Sequence, residues 1–310
     1  YDVLGAHVPG VEVQMAFREA GHILGSSSVE LVSAKSRVVV SGDLGRPGSP
    51  ILRDYHSAWT QERPVDCVVM ECTYGGCEHQ HSAADIESAL AAIIHRALKD
   101  GGHILVPAFA IGRTQTLLYH LNSLVEAKRI PSIPVAIDTP MGIAVTETYQ
   151  EFRALFDRES LDKIARGDDP LDFGNLFAVR KARDSFRLRN VKDAMLIIAG
   201  SGMVTGGRIM GHMKELLPRK ETCVLFVGFQ APGTGGRRIQ DAARTSGTVF
   251  LDGESVPVRA HVETLSGLSA HADRNELKRW LRGLPTTSGV LLHHGEVESQ
   301  QAFAQWFTAG

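Results

Sequence analysis

Three features are scarce in the 310-residue sequence, and each narrows the class of protein. No apolar run approaches the ~18 residues typical of a membrane-spanning helix, so we expect no membrane contact. There are only four cysteines, and none forms a C-x-x-C pair. Without a signal peptide or a disulfide framework, a reducing cytoplasm fits best. A large positive charge is also absent, because the formal net charge is −2. If nucleic acid is the substrate, the positive charge must therefore be local or supplied by metal ions.

Two kinds of strand and helix pattern follow one another along the chain. The first 70 or so residues read mostly as β-strands. Residues 76–250 alternate short apolar strands with amphipathic helices, which is typical of a parallel α/β unit. Residues 157–192 are polar and mixed, and we interpret them as surface loops and short helices.

Two histidine or aspartate motifs lie in glycine-rich turns of the N-terminal part. His22 stands in AGHILGS, where flanking glycines expose the backbone, and Asp43 ends the apolar strand of VVVSGD. A carboxylate in such a place is able to bridge two metal ions. Taken singly, however, an isolated surface histidine and a turn-capping aspartate are the commoner interpretations.

Two further motifs stand near the C-terminal end. His271 lies in SAHAD just before a helix, where Asp273 is explained as an N-cap but His271 is not. In LLHHGE a strand delivers two consecutive histidines to a glycine turn. Side chains alternate along a strand, so only one of the two faces a given pocket, and we choose His294 over His293.

The order of these strings resembles the β-CASP branch of the metallo-β-lactamase superfamily, in particular its RNA-processing members. The resemblance runs from about residue 10 to residue 307, with Glu71 in ECTYG as the acid motif. It is carried by AGH, SGD, ECTYG, SAHAD and HGE, together with PAFAIGRTQ, SGMVTGGR and GFQAPGTGGR.

The resemblance implies a role for each matching residue. His22 and His294 would be zinc ligands, and Asp43 would bridge two zinc ions. Glu71 would orient His271, which would give a proton to the leaving 3′ oxygen. The implied reaction is two-metal hydrolysis of a phosphodiester bond.

Single-stranded RNA is the substrate that the resemblance implies, because RNA-processing members carry a histidine where His294 stands. Candidate substrate contacts are Ser269 and three arginines in glycine-rich turns: Arg113, Arg208 and Arg237. Ordinary surface arginines are an equally good interpretation of those three. A homodimer is left open.

One departure from the family pattern concerns its largest ligand cluster, His-x-His-x-Asp-His, which does not occur here. The string HQHSAAD has the wrong spacing, and we interpret it as a polar loop. We therefore expect an N-terminally truncated ribonuclease with negligible activity as an isolated chain. The alternative is a catalytically dead β-CASP scaffold or RNA-binding subunit.

The expected fold class is α/β, a partial metallo-β-lactamase αββα sandwich with an inserted parallel β-CASP domain. Residues 1–75 would be the second half of the metallo-β-lactamase domain, with its first half absent. Residues 76–255 would be the β-CASP domain, and residues 256–310 would return to the first domain.

Overall fold

The computed structural model describes residues 4–8, 11–285 and 287–309. The described chain forms two compact units. Unit 1 draws on three stretches, Tyr1–Gln80, Ala154–Ser160 and Ser269–Gly310. Unit 2 draws on two, His81–Arg153 and Leu161–Leu268.

The bounds of the regular elements are as follows. The strands are β1 (Leu4–Val8), β2 (Val11–Glu19), β3 (Ser27–Ser33), β4 (Arg37–Val40), β5 (Cys67–Glu71), β6 (Ile104–Pro107), β7 (Val135–Asp138), β8 (Leu176–Ala178), β9 (Leu196–Ala199), β10 (Cys223–Phe226), β11 (Thr248–Leu251), β12 (Glu254–Pro257), β13 (His261–Thr264) and β14 (Val290–His293). The α-helices are α1 (Ala83–Asp100), α2 (Arg113–Glu126), α3 (Pro140–Glu151), α4 (Arg158–Ala165), α5 (Ala182–Leu188), α6 (Arg208–Leu216), α7 (Gly235–Ala243), α8 (Arg274–Gly283) and α9 (Val297–Ala309).

Unit 1 is built on a mixed six-stranded sheet with the order β1-β2-β3-β4-β5-β14. The first four strands pair with one another in antiparallel order, whereas β5 runs parallel to both β4 and β14. Val68 and Met70 of β5 are fully buried in one apolar cluster with Trp280 of α8 and Phe303 of α9. Burial of these large side chains is the main source of stability for this layer.

Unit 2 contains a parallel sheet with the order β13-β10-β6-β9-β7-β8. The residues of β6, β7, β9 and β10 are buried throughout, as expected for a parallel sheet that is covered on both faces. The predicted α/β fold is confirmed.

Local sequence signals set the ends of several helices. Ser82 and Asp85 form a capping box at the start of α1, and Gly101 ends that helix with a φ of 76°. Asp273 and Glu276 form the same arrangement at the start of α8, so the interpretation of Asp273 as an N-cap is confirmed.

Some elements differ from the prediction. Residues 157–192, expected to be loops and short helices, also contain the strand β8, which pairs with β7 in parallel. Residues 254–264 form two separate strands, because β12 pairs with β11 whereas β13 joins β10. Pro257, which lacks a backbone donor, ends β12.

The predicted domain boundaries after residues 75 and 255 stay predictions, and the two compact units divide the chain at other positions. Residues 256–268 belong to unit 2, since β13 extends its sheet. Ala154–Ser160 belongs to unit 1, where Phe156 forms a β-bridge with Leu52 and Asp157 N donates to the Ile51 carbonyl at 2.8 Å.

Two further features concern the cysteines and the lengths of the helices. All four cysteines are free, although Cys67 is only partly buried. No helix in the described part of the chain has both the length and the apolar character needed to cross a membrane.

Candidate metal centre and proton-transfer site

The predicted site residues of unit 1 meet where its strands end. Asp43 follows β4, Glu71 is the last residue of β5, and His294 follows β14. These three strands are parallel neighbours, so their carboxyl ends share one edge of the sheet. His22 follows β2, and His271 is brought in by an antiparallel bridge between its backbone and Gly45.

Close backbone approaches make glycine necessary beside the site. A β-carbon on Gly45 would lie only 1.8 Å from the Gly21 carbonyl oxygen and 2.7 Å from His22 N. A β-carbon on Gly295 would lie 2.4 Å from the Cys72 carbonyl oxygen. His294 itself has a φ of 50°, a left-handed conformation that costs energy for a residue with a side chain. Strained backbone of this kind is common at functional sites.

Glu71 and His271 form a hydrogen-bonded pair although they are 200 residues apart in the chain. His271 Nδ1 lies 3.0 Å from Oε1 and 3.1 Å from Oε2 of Glu71. The Glu71 side chain is fully buried, whereas that of His271 is 19% exposed. The carboxylate therefore fixes Nδ1 as the protonated nitrogen and leaves Nε2 for chemistry.

The surroundings of Glu71 keep it ionised. Burial by itself raises the pKa of this carboxyl group, but hydrogen bonds from His271 and Thr73, with the charge of His271, outweigh that effect and lower the pKa. The backbone N–H of Leu44 also donates to Oε1 at 2.6 Å. The ionised carboxylate accepts the Nδ1–H of His271 and thereby orients its ring.

Nitrogen and oxygen donors lie within reach of one another beside this pair. Asp43 Oδ1 lies 3.2 Å from His294 Nδ1, and Asp43 Oδ2 lies 3.9 Å from His22 Nε2. The ligand atoms of His22, Asp43 and His271 lie within 4.8 Å of one another, and so do those of Glu71, His271 and His294.

This donor set fits a zinc site. Zinc accepts imidazole nitrogen and carboxylate oxygen, which are the groups present here. Burial and the neighbouring His271 lower the pKa of His22, so its imidazole is neutral, the form that binds a metal. The carboxylate oxygens of Asp43 thus lie within 3.9 Å of a ring nitrogen of both other predicted ligands, His22 and His294.

Two contributing residues were missed by the sequence reasoning. The Thr73 hydroxyl lies 2.7 Å from Glu71 Oε2 and 3.1 Å from His294 Nδ1. His79 Nε2 lies 2.9 Å from the His271 carbonyl oxygen, and its backbone N–H donates to Asp273. The only sequence signal for Thr73 is its place two residues after the acid of ECTYG.

His79 belongs to the string HQHSAAD, which was interpreted as a polar loop. Its ring supports the backbone of His271 and is outside the donor groups found among the described residues. His293 is likewise outside those groups, whereas the neighbouring His294 is in one of them.

The four residues predicted to contact substrate have different surroundings. In unit 1, Ser269 Oγ accepts a hydrogen bond from His271 N at 3.3 Å. In unit 2, Arg208 donates to Asp138 Oδ1 at 2.7 Å and to the carbonyl oxygens of Val179 and Arg180, which favours a structural role.

The other two arginines of unit 2 begin or follow the starts of helices. Arg113 donates to the Leu268 carbonyl oxygen. Arg237 pairs with Asp241 on the surface of α7 at 3.1 Å. Substrate contact by either residue stays a prediction.

Comparison with known proteins adds two family models and several relatives. A Beta-Casp domain model matches residues 114–239, and a model of the Zn-dependent metallo-hydrolase RNA specificity domain matches residues 255–310. A protein of Thermus thermophilus named as a ribonuclease is 35% identical over 94% of this chain and 65% of its own length.

Two archaeal relatives also match most of this chain but only part of their own length. Transcription termination factor FttA of Thermococcus kodakarensis is 31% identical over 92% of this chain and 44% of its own length. An RNase J-like protein of Methanocaldococcus jannaschii is 28% identical over 94% of this chain and 66% of its own length. The chain therefore spans between 44% and 66% of the length of these curated relatives.

The fold, the donor set and the matched models together define an α/β protein of the metallo-hydrolase class with a metal cofactor. More specifically, the chain belongs to the β-CASP family of the metallo-β-lactamase superfamily.

Proposed function

We propose that this chain forms part of a zinc-dependent ribonuclease that hydrolyses phosphodiester bonds of single-stranded RNA, with two zinc ions. The observation that carries the proposal is the Glu71–His271 hydrogen bond, which lies beside the nitrogen and oxygen donors of His22, Asp43 and His294. A general acid next to a metal donor set is the arrangement that hydrolysis of a phosphodiester requires.

Three residues would hold the metal: His22, Asp43 and His294. Zinc, when bound, activates the attacking water and offsets the negative charge of the phosphate. The protein's own groups supply the proton. His271 gives a proton from Nε2 to the leaving 3′ oxygen, while Glu71 holds Nδ1–H and stabilises the imidazolium.

RNA is supported over DNA by two observations. The RNA specificity model covers residues 255–310, which include His271 and His294. Two relatives with similar sequences are named as a ribonuclease and an RNase J-like protein. A homodimer stays a prediction, which sedimentation velocity tests.

The decisive experiment measures cleavage of end-labelled single-stranded RNA by the complete gene product with zinc. We expect His271→Ala to lower the rate by about 10²-fold or more, the usual contribution of a general acid. The matched control is His261→Ala, because His261 is an exposed histidine of unit 2.

Two outcomes would contradict the proposal. Absence of cleavage at any zinc concentration, with RNA still bound, would favour the scaffold or RNA-binding subunit. An equal rate for His271→Ala and the wild type would remove His271 from the proton-transfer step.

A further inference from the structure

The carboxyl edge of the parallel sheet in unit 2 presents exposed aromatic rings. Phe109 follows β6 and Phe229 follows β10, and their exposed fractions are 46% and 65%. Because β6 and β10 are parallel neighbours, both loops emerge from the same edge of the sheet. Leaving large apolar side chains in water is unfavourable, so such a patch indicates a binding surface.

The two rings stand on loops that are fixed in place. A β-carbon on Gly202, in the loop after β9, would lie 3.0 Å from Cδ2 of Phe109, so glycine lets that ring lie against the backbone. Gln230 Nε2 donates to the Gly202 carbonyl oxygen at 3.0 Å and to the Phe229 carbonyl oxygen at 3.1 Å. The loop after β9 therefore connects to both phenylalanines.

The charges around these rings favour an anion. The loops 108–112, 200–207 and 227–234 contain no aspartate or glutamate, and the first charged residue after each is an arginine: Arg113, Arg208 or Arg237. Arg208 and Arg237 are paired with carboxylates, whereas Arg113 donates to a carbonyl oxygen. Helices α2, α6 and α7 have no acid in their first turn. The start of a helix is the partially positive end of its dipole, where acids are usual.

A guanidinium group lies close to the backbone that precedes one of the two phenylalanines. A β-carbon on Gly228, directly before Phe229, would lie 3.9 Å from Arg113 Cζ. Arg113 is held in this position by its hydrogen bond to the Leu268 carbonyl oxygen. Exposed rings, a nearby guanidinium and acid-free loops complement a ligand that is both aromatic and negatively charged.

We propose that Phe109 and Phe229 form a stacking platform for the bases of single-stranded RNA, with Arg113 and the acid-free loops facing the phosphates. Unpaired bases stack on aromatic side chains, whereas the faces of paired bases are covered within a duplex. The choice of RNA rests on the proposed function; the aromatic and charge arguments come from unit 2 alone.

The test measures binding of a fluorescein-labelled single-stranded RNA to the complete gene product, by anisotropy, with the metal chelated so that no cleavage occurs. Phe229→Ala should weaken binding by about tenfold, the usual contribution of one stacked base. Phe229→Tyr keeps an aromatic face and should bind within about twofold of the wild type. Phe229→Leu keeps only the apolar character and should behave as the alanine variant does.

Phe250→Ala is the matched control, because Phe250 of β11 is 64% exposed but lies in the separate β11–β12 hairpin. It should leave binding unchanged, and a duplex of the same sequence should bind equally to all variants. Since Phe229 is mostly exposed, its replacement should not alter thermal unfolding, which excludes a folding defect as the cause.

Three results would overturn the platform. Phe229→Ala could bind as tightly as the wild type. Phe229→Leu could restore binding, which would indicate an ordinary apolar contact such as one with a protein partner. The wild type could fail to bind the strand, and cleavage of the same strand in zinc would then keep the proposed function while removing the platform. Binding that depends on Phe229 without any cleavage would keep the platform and contradict the proposed function.

Discussion

The Thr73 hydroxyl oxygen lies 2.7 Å from Oε2 of Glu71, so the buried acid is held by a neighbour from its own strand end. The same oxygen lies 3.1 Å from His294 Nδ1. The hydroxyl also lies 2.8 Å from the His294 carbonyl oxygen, so its single proton has two acceptors, the Glu71 carboxylate and this carbonyl. Thr73 thereby connects the proton-transfer pair to a proposed metal ligand.

Replacement of Thr73 by valine removes this hydroxyl at nearly constant volume. We expect zinc affinity or the cleavage rate of the complete gene product to fall by about 10- to 100-fold, the usual cost of losing a group that orients a ligand. Thr73→Ser retains the hydroxyl and should retain most of both.

A structural readout accompanies these measurements for Thr73. Nitrogen-15 NMR of the metal-free protein should show the same His294 ring signals in the wild type and in Thr73→Ser, but shifted signals in Thr73→Val, because the hydroxyl contact to Nδ1 is lost. Identical His294 signals in all three proteins would contradict the role assigned to the hydroxyl.

Glu71→Gln removes the charge opposite His271 and leaves the shape of the side chain. Because the carboxylate stabilises the imidazolium, the cleavage rate should fall by about 10²-fold, within the range of general acid catalysis. Zinc content should change little, since Glu71 is not among the proposed ligands. The measurements are single-turnover cleavage across pH and metal analysis.

The exposed Glu221 provides the control for this substitution. Glu221→Gln should cleave at the wild-type rate. A Glu71→Gln protein whose rate and pH profile match those of Glu221→Gln would exclude the acid from proton transfer.

The contrast between Glu71 and Thr73 indicates how far the sequence predicts the site. Glu71, His271 and the three proposed ligands belong to recurring strings, so they were identified although the pair lies 200 residues apart. Thr73 acts through a hydroxyl whose partners come from two strand ends. Its place in ECTYG, two residues after the acid, does not indicate that the hydroxyl contacts a second strand end.

Some elements of the fold are not indicated by the local sequence, for a similar physical reason. Helix α7 begins with Gly235 and Gly236, residues of low helix propensity, and is held by the Thr234 cap and by buried Ile239. Strand β8 is three residues long and mostly exposed, and it exists because it pairs with β7. Tertiary contacts decide both elements, whereas the buried strands β6, β9 and β10 are evident from their apolar residues alone.

His294→Ala tests the metal centre against a neighbouring histidine. Zinc affinity should fall by at least about tenfold, because even the loss of a residue that only orients a ligand costs this much. His293→Ala is the matched control, since His293 is adjacent in the chain but outside the donor groups. Competition with a chelating dye measures both, and equal losses would contradict the choice of His294.

Asp138 is the basis of a prediction about the stability of unit 2. Its side chain is fully buried, and its carboxylate lies 2.6 Å from His212 Nε2 and 2.7 Å from Arg208 Nη1. Burial by itself raises the pKa of Asp138, but hydrogen bonds from His212, Ser185 and Arg208 outweigh it and lower the pKa below the ordinary value of 3.8.

Asp138→Asn removes the negative charge that compensates the mostly buried guanidinium of Arg208. It should lower the free energy of unfolding by about 3 kcal/mol at neutral pH. In the wild type, the folded carboxyl binds its proton less readily than the unfolded one. Its stabilising contribution is therefore complete above the ordinary pKa and is lost as the pH falls through the lower folded pKa. The difference between the two proteins in urea unfolding should be large at pH 7 and should shrink below pH values of about 4.

Asp241→Asn, which breaks the exposed pair with Arg237, is the control and should cost less than about 1 kcal/mol. A pH-independent difference, or equal losses for the two variants, would show that the Asp138 charge does not stabilise the unit.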